Sequence, residues 1–599
     1  MKRALALATA TVLALLASPA QAVTASNPYG GPPPAHAFGP DSTSTGAPYT
    51  GQGSGTQAGL SCQSATTPVA MNVCTGYLAS SVDGTLLDTT VEVPTNPNGI
   101  HPLIAVMHGW GGDKNSDLSW DANFLSDGYT VLRYSARGFG NSWGQTNLAD
   151  QNVEIADMRS LIGQVVDNPQ LRADASRVAV IGASYGGGHS TQLLEQPSWT
   201  SPGGQAVHLK TAVPIVPWTS LYYALEPNGR PHQTYAVPGS AKLSYITALF
   251  AGGHRSPSTA RPYDPYPPFL NGCLADGANE PSFSDPVYMT CLNALEGYRS
   301  LWESQQFWST AASNRVPILD VQGWTDDLFP PPEVLRLYYA LKTIDPSYPI
   351  ALYLGNVGHP RAANSAAETA YLLDQVVRPW FAFYLNGTGS APALDVKAAT
   401  TQPDNSFSAA GVVEVPTYDA LATRLFKKHF RGSQVITFNP ANTSGVAWDP
   451  VVMTGSEMLK PNPPAPPADE APGDVASYSV KVSDLTGGVG LYLAGAPALT
   501  LNISTTAYRE QLDTRVFDVA PDGSRKLVTR GTYTLDSGSP AQHLGDQRLT
   551  LTAYGNLWQL PAGDTLLIEL TNVDSPYISP SKIPSVTTLS GLDAVIPAR

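Results

Sequence analysis

The segment Gly182-Ala183-Ser184-Tyr185-Gly186 constrains this chain more than any other, because it sets a serine between two different kinds of element. Before it, Arg177-Val178-Ala179-Val180-Ile181 reads as a buried parallel strand. After it, Gly187 to Leu194 reads as the start of a helix. A strand-to-helix turn this tight needs small flanking residues, which Gly182 and Gly186 supply. Such an elbow lifts the Ser184 hydroxyl clear of the sheet with a helix N-terminus behind it.

A second apolar strand, Leu103 to Met107, runs into His108-Gly109-Trp110-Gly111-Gly112. If Ser184 attacks a carbonyl, two backbone N–H groups must hold the oxyanion that forms. In a strand–elbow–helix arrangement of this kind they are expected from Tyr185, next after the serine, and from Trp110 in the glycine-rich loop. Further on, the strand Val316 to Val321 leads to Gly323-Trp324-Thr325-Asp326-Asp327. The strand Ile350 to Leu354 leads to Gly355-Asn356-Val357-Gly358-His359. An acid and a base that follow the serine in this order, each past the C-terminal end of a strand, lie where open α/β sheets place their sites. His359 is the expected base and Asp326 the carboxylate that orients it, with Asp327 as the alternative. Asp320 reads as a structural residue of its strand. His108 is expected to fix its loop, and His189 to pack on the nucleophile helix.

Taken in order, these motifs resemble a known family. His108 to Gly112, Arg137-Gly138-Phe139-Gly140-Asn141-Ser142-Trp143-Gly144, the Gly182–Gly187 elbow, Gly323 to Asp326 and Gly358-His359 look like the Xaa-Pro dipeptidyl peptidase and cocaine esterase (CocE/NonD-like) superfamily of α/β-hydrolases. The resemblance covers most of the chain after about Thr75. It implies a serine hydrolase acting on a small ester, amide or peptide through an acyl-serine, without metal or cofactor, and a C-terminal jelly roll. The Arg137–Gly144 segment is expected to be structural. There is one departure. Members near the cocaine esterase type place a tyrosine hydroxyl in the oxyanion hole, where this chain has Trp110, whose indole is not an equivalent donor. The contrasting class is a non-catalytic binder on the same fold, its β domain holding a polymer or a cell-surface ligand.

Lys2-Arg3, the apolar run Ala4 to Leu16 and Ala20-Gln21-Ala22 read as a signal peptide cleaved after Ala22, which implies a secreted protein. Four cysteines fit that compartment, and their spacing suggests two local disulfides, Cys62–Cys74 and Cys273–Cys291. The formal net charge is −14, from 34 basic and 48 acidic residues, which argues against nucleic acid and anionic membrane as partners.

Residues 23 to 60 are rich in Gly, Pro, Ser and Thr and read as a flexible tether. From 61 to about 390, strands and helices alternate, which predicts a doubly wound α/β catalytic domain. The gap from about 218 to 315 is too long for a βα connection and is expected to form an inserted lid. It carries Glu226 and Asp264, candidate partners for a substrate ammonium. Ser365-Ala366-Ala367-Glu368 is a capping-box pattern opening a helix to about Tyr384. From 391 to 599 the periodicity falls to two, with strands such as Val412 to Val415 and Lys526 to Thr534, which predicts a β-sandwich. The sequons at Asn386, Asn442 and Asn502 are expected to be unused.

Overall fold

The computed structural model describes residues 57–95, 99–116, 119–231, 237, 239–255, 264–267, 270, 303, 305–439, 475–574, 577–578 and 583–599. The expected signal peptide, most of the tether, the Cys273–Cys291 pair, the sequon at Asn442 and much of the 218–315 segment lie outside them.

The first half builds one 12-stranded sheet. Its strands are β1 (Gly59–Ala65), β2 (Met71–Ala79), β3 (Leu86–Pro94), β4 (His101–Met107), β5 (Thr130–Tyr134), β6 (Ala173–Ala183), β7 (Ser198–Thr200), β8 (Ala206–Ile215), β9 (Ile318–Gly323), β10 (Ile350–Gly355), β11 (Val396–Ala399) and β12 (Val412–Val415). The order is β1-β2-β3-β5-β4-β6-β8-β9-β10-β11-β12, with β7 paired to β8. The central strands are parallel and buried on both faces, as their near-continuous apolar runs require. Along β4, Leu103, Ala105 and Met107 enter one core and Ile104 and Val106 the other; Val178 to Ile181 of β6 alternate in the same way. Cys62 and Cys74 lie directly opposite in the β1–β2 register and are joined as a disulfide.

β5 and β6 lie on opposite sides of β4, so the chain leaves β4 in one direction and returns in the other. The crevice past the C-terminal ends of β4 and β6 is therefore the switch point where open sheets bind ligands. The glycine-rich loop and the serine elbow flank it.

Two strands depart from the expected boundary at residue 391. β11 is parallel to β10, and β12, the Val412–Val415 strand expected in the β-sandwich, pairs antiparallel with β11 on the catalytic sheet. An alternating pattern marks a strand but does not name its neighbour, so a short antiparallel edge strand looks the same on either sheet. The sandwich strands start at Arg424. They are β13 (Arg424–Phe438), β14 (Val475–Lys481), β15 (Leu491–Gly495), β16 (Ala498–Thr505), β17 (Arg509–Val519), β18 (Arg525–Asp536), β19 (Gly545–Thr552), β20 (Asn556–Leu560), β21 (Thr565–Thr571) and β22 (Ser585–Ala598). One sheet runs β19-β16-β22-β15-β20 with β13 on β22, and the other β14-β21-β17-β18. All pairings are antiparallel. Their inner faces share a core of Ile436, Leu493, Leu501, Val516, Ile568 and Leu589, which makes a jelly-roll-like sandwich.

Candidate active site

β6 ends at Ala183, and the helix Tyr185–Gln192 begins two residues later. Ser184 between them has φ 58° and ψ −115°, a conformation a side-chain-bearing residue adopts only under constraint. The constraint comes from the glycines. A Cβ on Gly182 would sit 2.6 Å from the Met107 carbonyl oxygen, and one on Gly186 only 2.1 Å from the same atom. The elbow is thus pressed onto the end of β4, and only hydrogen fits at either flank. Ser184 N–H donates to the Ile215 carbonyl at 2.9 Å, which pins the turn to β8 as well.

His359 follows β10 and Asp326 follows β9, and the sheet brings both to Ser184. His359 Nε2 lies 2.7 Å from Ser184 Oγ, and His359 Nδ1 lies 2.7 Å from Asp326 Oδ2. Asp326 is fully buried, and four N–H donors fix both of its oxygens. Oδ1 accepts from the Leu328 and Phe329 N–H groups at 3.0 and 2.8 Å, and Oδ2 also accepts the His359 N–H at 3.0 Å. The ring of Phe329 stands edge-on to the imidazole, centroids 5.0 Å apart. A hydroxyl, an imidazole and a buried carboxylate in line form an arrangement in which the hydroxyl can lose its proton during attack.

Asp327, the alternative acid, is also fully buried but faces elsewhere. It holds Arg361 through two bonds of 2.7 and 2.8 Å, and Arg530 of β18 reaches it at 3.2 Å. Burial alone would raise this carboxyl, but the two guanidinium groups hold it below its usual range.

The glycine-rich loop abuts the serine: a methyl on Gly109 would lie 3.8 Å from Ser184 Cβ. His108 holds this loop, accepting the Ala136 N–H on Nε2 and donating from Nδ1 to the Gly109 carbonyl. The rings of Trp110 and Tyr185 meet perpendicularly with centroids 5.0 Å apart. Trp110 Nε1 donates to the Leu249 carbonyl at 2.8 Å, so the indole N–H is already committed. Tyr185 Oη donates to Glu154 at 2.8 Å and accepts the Ala149 N–H. Burial pushes the Glu154 carboxyl up, against the hydrogen bonds from Asn147, Tyr185 and Ala149 that favour its charge. His189 Nδ1 donates to the Tyr185 carbonyl at 2.9 Å, and the imidazole packs on the Tyr185 ring.

Arg137 is fully buried and forks onto Asp157 and Asp83, tying the Arg137–Gly144 segment to the helix Glu154–Asp167 and the turn before β3. Asp320 is a fully buried residue inside β9 whose two carboxyl oxygens have no hydrogen-bond partner among the described residues; burial drives its pKa well up. Asp264 pairs with His254 at 3.2 Å, both partly exposed. Glu226 ends the helix Leu221–Leu225. The described contacts bring neither acid to Ser184 or His359.

Pattern reading missed one organising element. The helix Leu243–Arg255, with Lys242 just before it, touches all three loops of the site. Leu249 receives the Trp110 indole, Tyr245 Oη donates to the Pro360 carbonyl at 2.5 Å, and Lys242 Nζ donates to the Leu328 carbonyl at 2.6 Å. Lys242 is fully buried, and desolvation outweighs nearby Glu333, Asp326 and Asp327 to push it down to about 7. A signal was present: Lys242 is the lone Lys, Arg, Asp or Glu between Arg230 and Arg255.

Residues 83–361 match the sequence model of the X-Pro dipeptidyl-peptidase (S15) family. The quorum-quenching protein AidA of Acinetobacter baumannii (strain MDR-ZJ06) is 34% identical over 102 residues, 17% of this chain and 31% of that protein. The uncharacterized hydrolase YraK of Bacillus subtilis (strain 168) is 31% identical over 106 residues, 17% of this chain and 37% of its own length. The chain thus spans about a third of the length of these curated relatives. Among solved structures, an aminopeptidase from a marine sediment Thaumarchaeota archaeon superposes with a TM-score of 0.59 at 14% identity, covering 90% of this chain and 96% of that one. An α-amino acid ester hydrolase gives 0.57 at 15% identity, covering 88% and 97%. A CocE/NonD family hydrolase from Staphylococcus aureus gives 0.57 at 12% identity, covering 91% and 97%. At such identities the likeness is one of fold. In sequence over residues 83–361, and in fold over about nine-tenths of its length, the chain resembles the Xaa-Pro dipeptidyl peptidase and cocaine esterase superfamily of hydrolases.

Proposed function

We propose that this protein is a secreted serine hydrolase that cleaves a small ester, amide or peptide substrate through an acyl intermediate on Ser184. The observation that carries the reading is the unbroken line Ser184 Oγ, His359 Nε2, His359 Nδ1, Asp326 Oδ2, with 2.7 Å at each hydrogen bond. His359 takes the Ser184 proton as Oγ adds to the carbonyl carbon and the carbonyl π electrons move onto its oxygen. The backbone N–H groups of Trp110 and Tyr185 receive that oxyanion. Collapse expels the alcohol or amine, protonated by His359. Water then attacks the acyl-enzyme, giving its proton to the same nitrogen, and Ser184 is regenerated. Asp326 keeps the Nδ1 proton in place and stabilises the imidazolium.

The 218–315 segment acts in this reading as a lid, since its described helix Leu243–Arg255 already braces the loops of Trp110, Leu328 and Pro360. Secretion is supported by the basic, apolar and Ala-Gln-Ala order of the N-terminus and by the Cys62–Cys74 disulfide. Parallel assays on p-nitrophenyl acyl esters and on Xaa-Pro p-nitroanilides test the activity and separate esterase from dipeptidyl peptidase. Turnover of at least one class, lost in Ser184→Ala, is the expected result. Failure on both by protein that is folded speaks for a binding protein on this fold.

A further inference from the structure

The C-terminal sandwich reaches the catalytic loops through one row of charges. β18, β17 and β21 are neighbours, and their register sets Arg530 opposite Arg515 and Arg515 opposite Glu569. Two arginines directly opposite each other on a buried face repel, so such a pair persists only when each is committed to an acid. Asp574 stands between them, 3.3 Å from Arg530 and 3.5 Å from Arg515. Arg515 meets Glu569 at 2.7 Å, and Glu569 meets the partly exposed Arg525 at 2.9 Å. At the inner end, Arg530 meets Asp327, and Asp327 meets Arg361. Positive and negative groups thus alternate from Arg361, two residues past His359, to Arg525 at the surface.

Asp327 is the joint in this row. Its side chain receives Arg361 from the loop of His359 and Arg530 from the sandwich. Its carbonyl accepts Tyr577 Oη at 2.9 Å, and the Arg530 guanidinium lies over the Tyr577 ring, 4.3 Å from its centroid. Arg361 has φ 89°, a left-handed conformation that a side-chain-bearing residue keeps only when held. The residue before Asp327 is Asp326, and the two after it, Leu328 and Phe329, donate the N–H bonds that orient the Asp326 carboxylate. Whatever fixes Asp327 therefore fixes the turn from both sides.

We infer that Arg530 is a positioning residue for hydrolysis: by clamping Asp327 it holds the 326–329 turn so that Asp326 stays in line with His359. The sandwich is then a working part of the active site, supplying Arg530 and Tyr577 to the acid loop. This inference rests on the roles of Ser184, His359 and Asp326 given above.

The test measures turnover per active site, counted by fluorophosphonate titration, for wild type, Arg530→Gln, Arg530→Lys and Tyr577→Phe, with thermal unfolding alongside. Titration of the wild type comes first; if it does not label at Ser184, the proposed function fails, and this inference with it. With the wild type labelled, Arg530→Gln is expected to lose at least about tenfold in kcat per titrated site, with KM within about twofold. A small misplacement of a catalytic group has this effect without weakening binding. Arg530→Lys keeps the charge without the fork and is expected to recover part of that loss. Full wild-type kcat per site in Arg530→Gln, with only a lowered melting temperature, overturns the inference. If Arg530→Gln does not fold, Arg530→Lys and Tyr577→Phe decide: reduced kcat per site in both supports the clamp, and wild-type kcat in both overturns it.

Discussion

Asp326 and Asp327 are adjacent and equally buried, yet they face opposite partners: Asp326 holds the imidazole of His359, and Asp327 holds the guanidinium groups of Arg361 and Arg530. One turn thereby serves both the line of Ser184, His359 and Asp326 and the contact between the two halves of the chain.

The two carboxylates should fail differently. Asp326→Asn keeps the shape but cannot hold the imidazole tautomer, and kcat is expected to fall about ten-thousandfold with little loss of stability. Asp327→Asn leaves two buried guanidinium groups short of a counter-charge, which costs about 3–5 kcal/mol of stability and a far smaller share of kcat. Steady-state kinetics beside thermal denaturation separates the two. Collapse of kcat in Asp327→Asn with near-normal turnover in Asp326→Asn reverses the assignment.

Lys242 makes stability depend on pH in a calculable direction. Its proton leaves near pH 7 in the folded protein, against an ordinary value of 10.5. Between these values the unfolded chain binds more protons than the folded one, so this group's contribution to stability rises with pH; below pH 7 its burial carries its full cost. The stability of Lys242→Met relative to wild type is therefore highest near pH 6 and declines towards pH 10. Melting temperatures across that range check this, and a difference independent of pH contradicts it.

Gly186→Ala tests the elbow. The new methyl would lie 2.1 Å from the Met107 carbonyl oxygen, a backbone atom at the end of a buried strand that cannot swing away. Folded protein should be lost, or its melting temperature should fall sharply, as measured by near-ultraviolet circular dichroism on heating. Wild-type melting would mean that the elbow is not pressed onto β4.

Tyr185→Phe keeps the backbone N–H assigned to the oxyanion and removes only the hydroxyl bonded to Glu154. An unpaired buried polar group costs about 1–3 kcal/mol, so stability should drop while kcat changes by less than about tenfold. A thousandfold loss of kcat would give the hydroxyl itself a part in the reaction.

Much of this was legible along the chain because local chemistry announced it. Gly182 and Gly186 flank a serine at a strand end; Asp326 and His359 each follow an apolar strand that can only be central. The sandwich was less readable. β13 and β22 run 15 and 14 residues and pair along almost their whole length, but β13 is dominated by exposed charged and polar positions, so no apolar alternation marked it. β12 carried the right pattern and joined the other sheet. Arg530 and Tyr577 were beyond reach, since their meaning depends on Asp327, which precedes Tyr577 by 250 residues, and sequence spacing holds no record of such a contact.

The central claim is that Ser184 is the nucleophile, and peptide mapping after fluorophosphonate treatment tests it most directly. The account predicts a single phosphonyl group per folded chain on the peptide that carries Ser184, and its near absence in His359→Ala treated for the same time. Turnover of esters or amides by protein whose adduct lies on another residue, or that forms none, contradicts it.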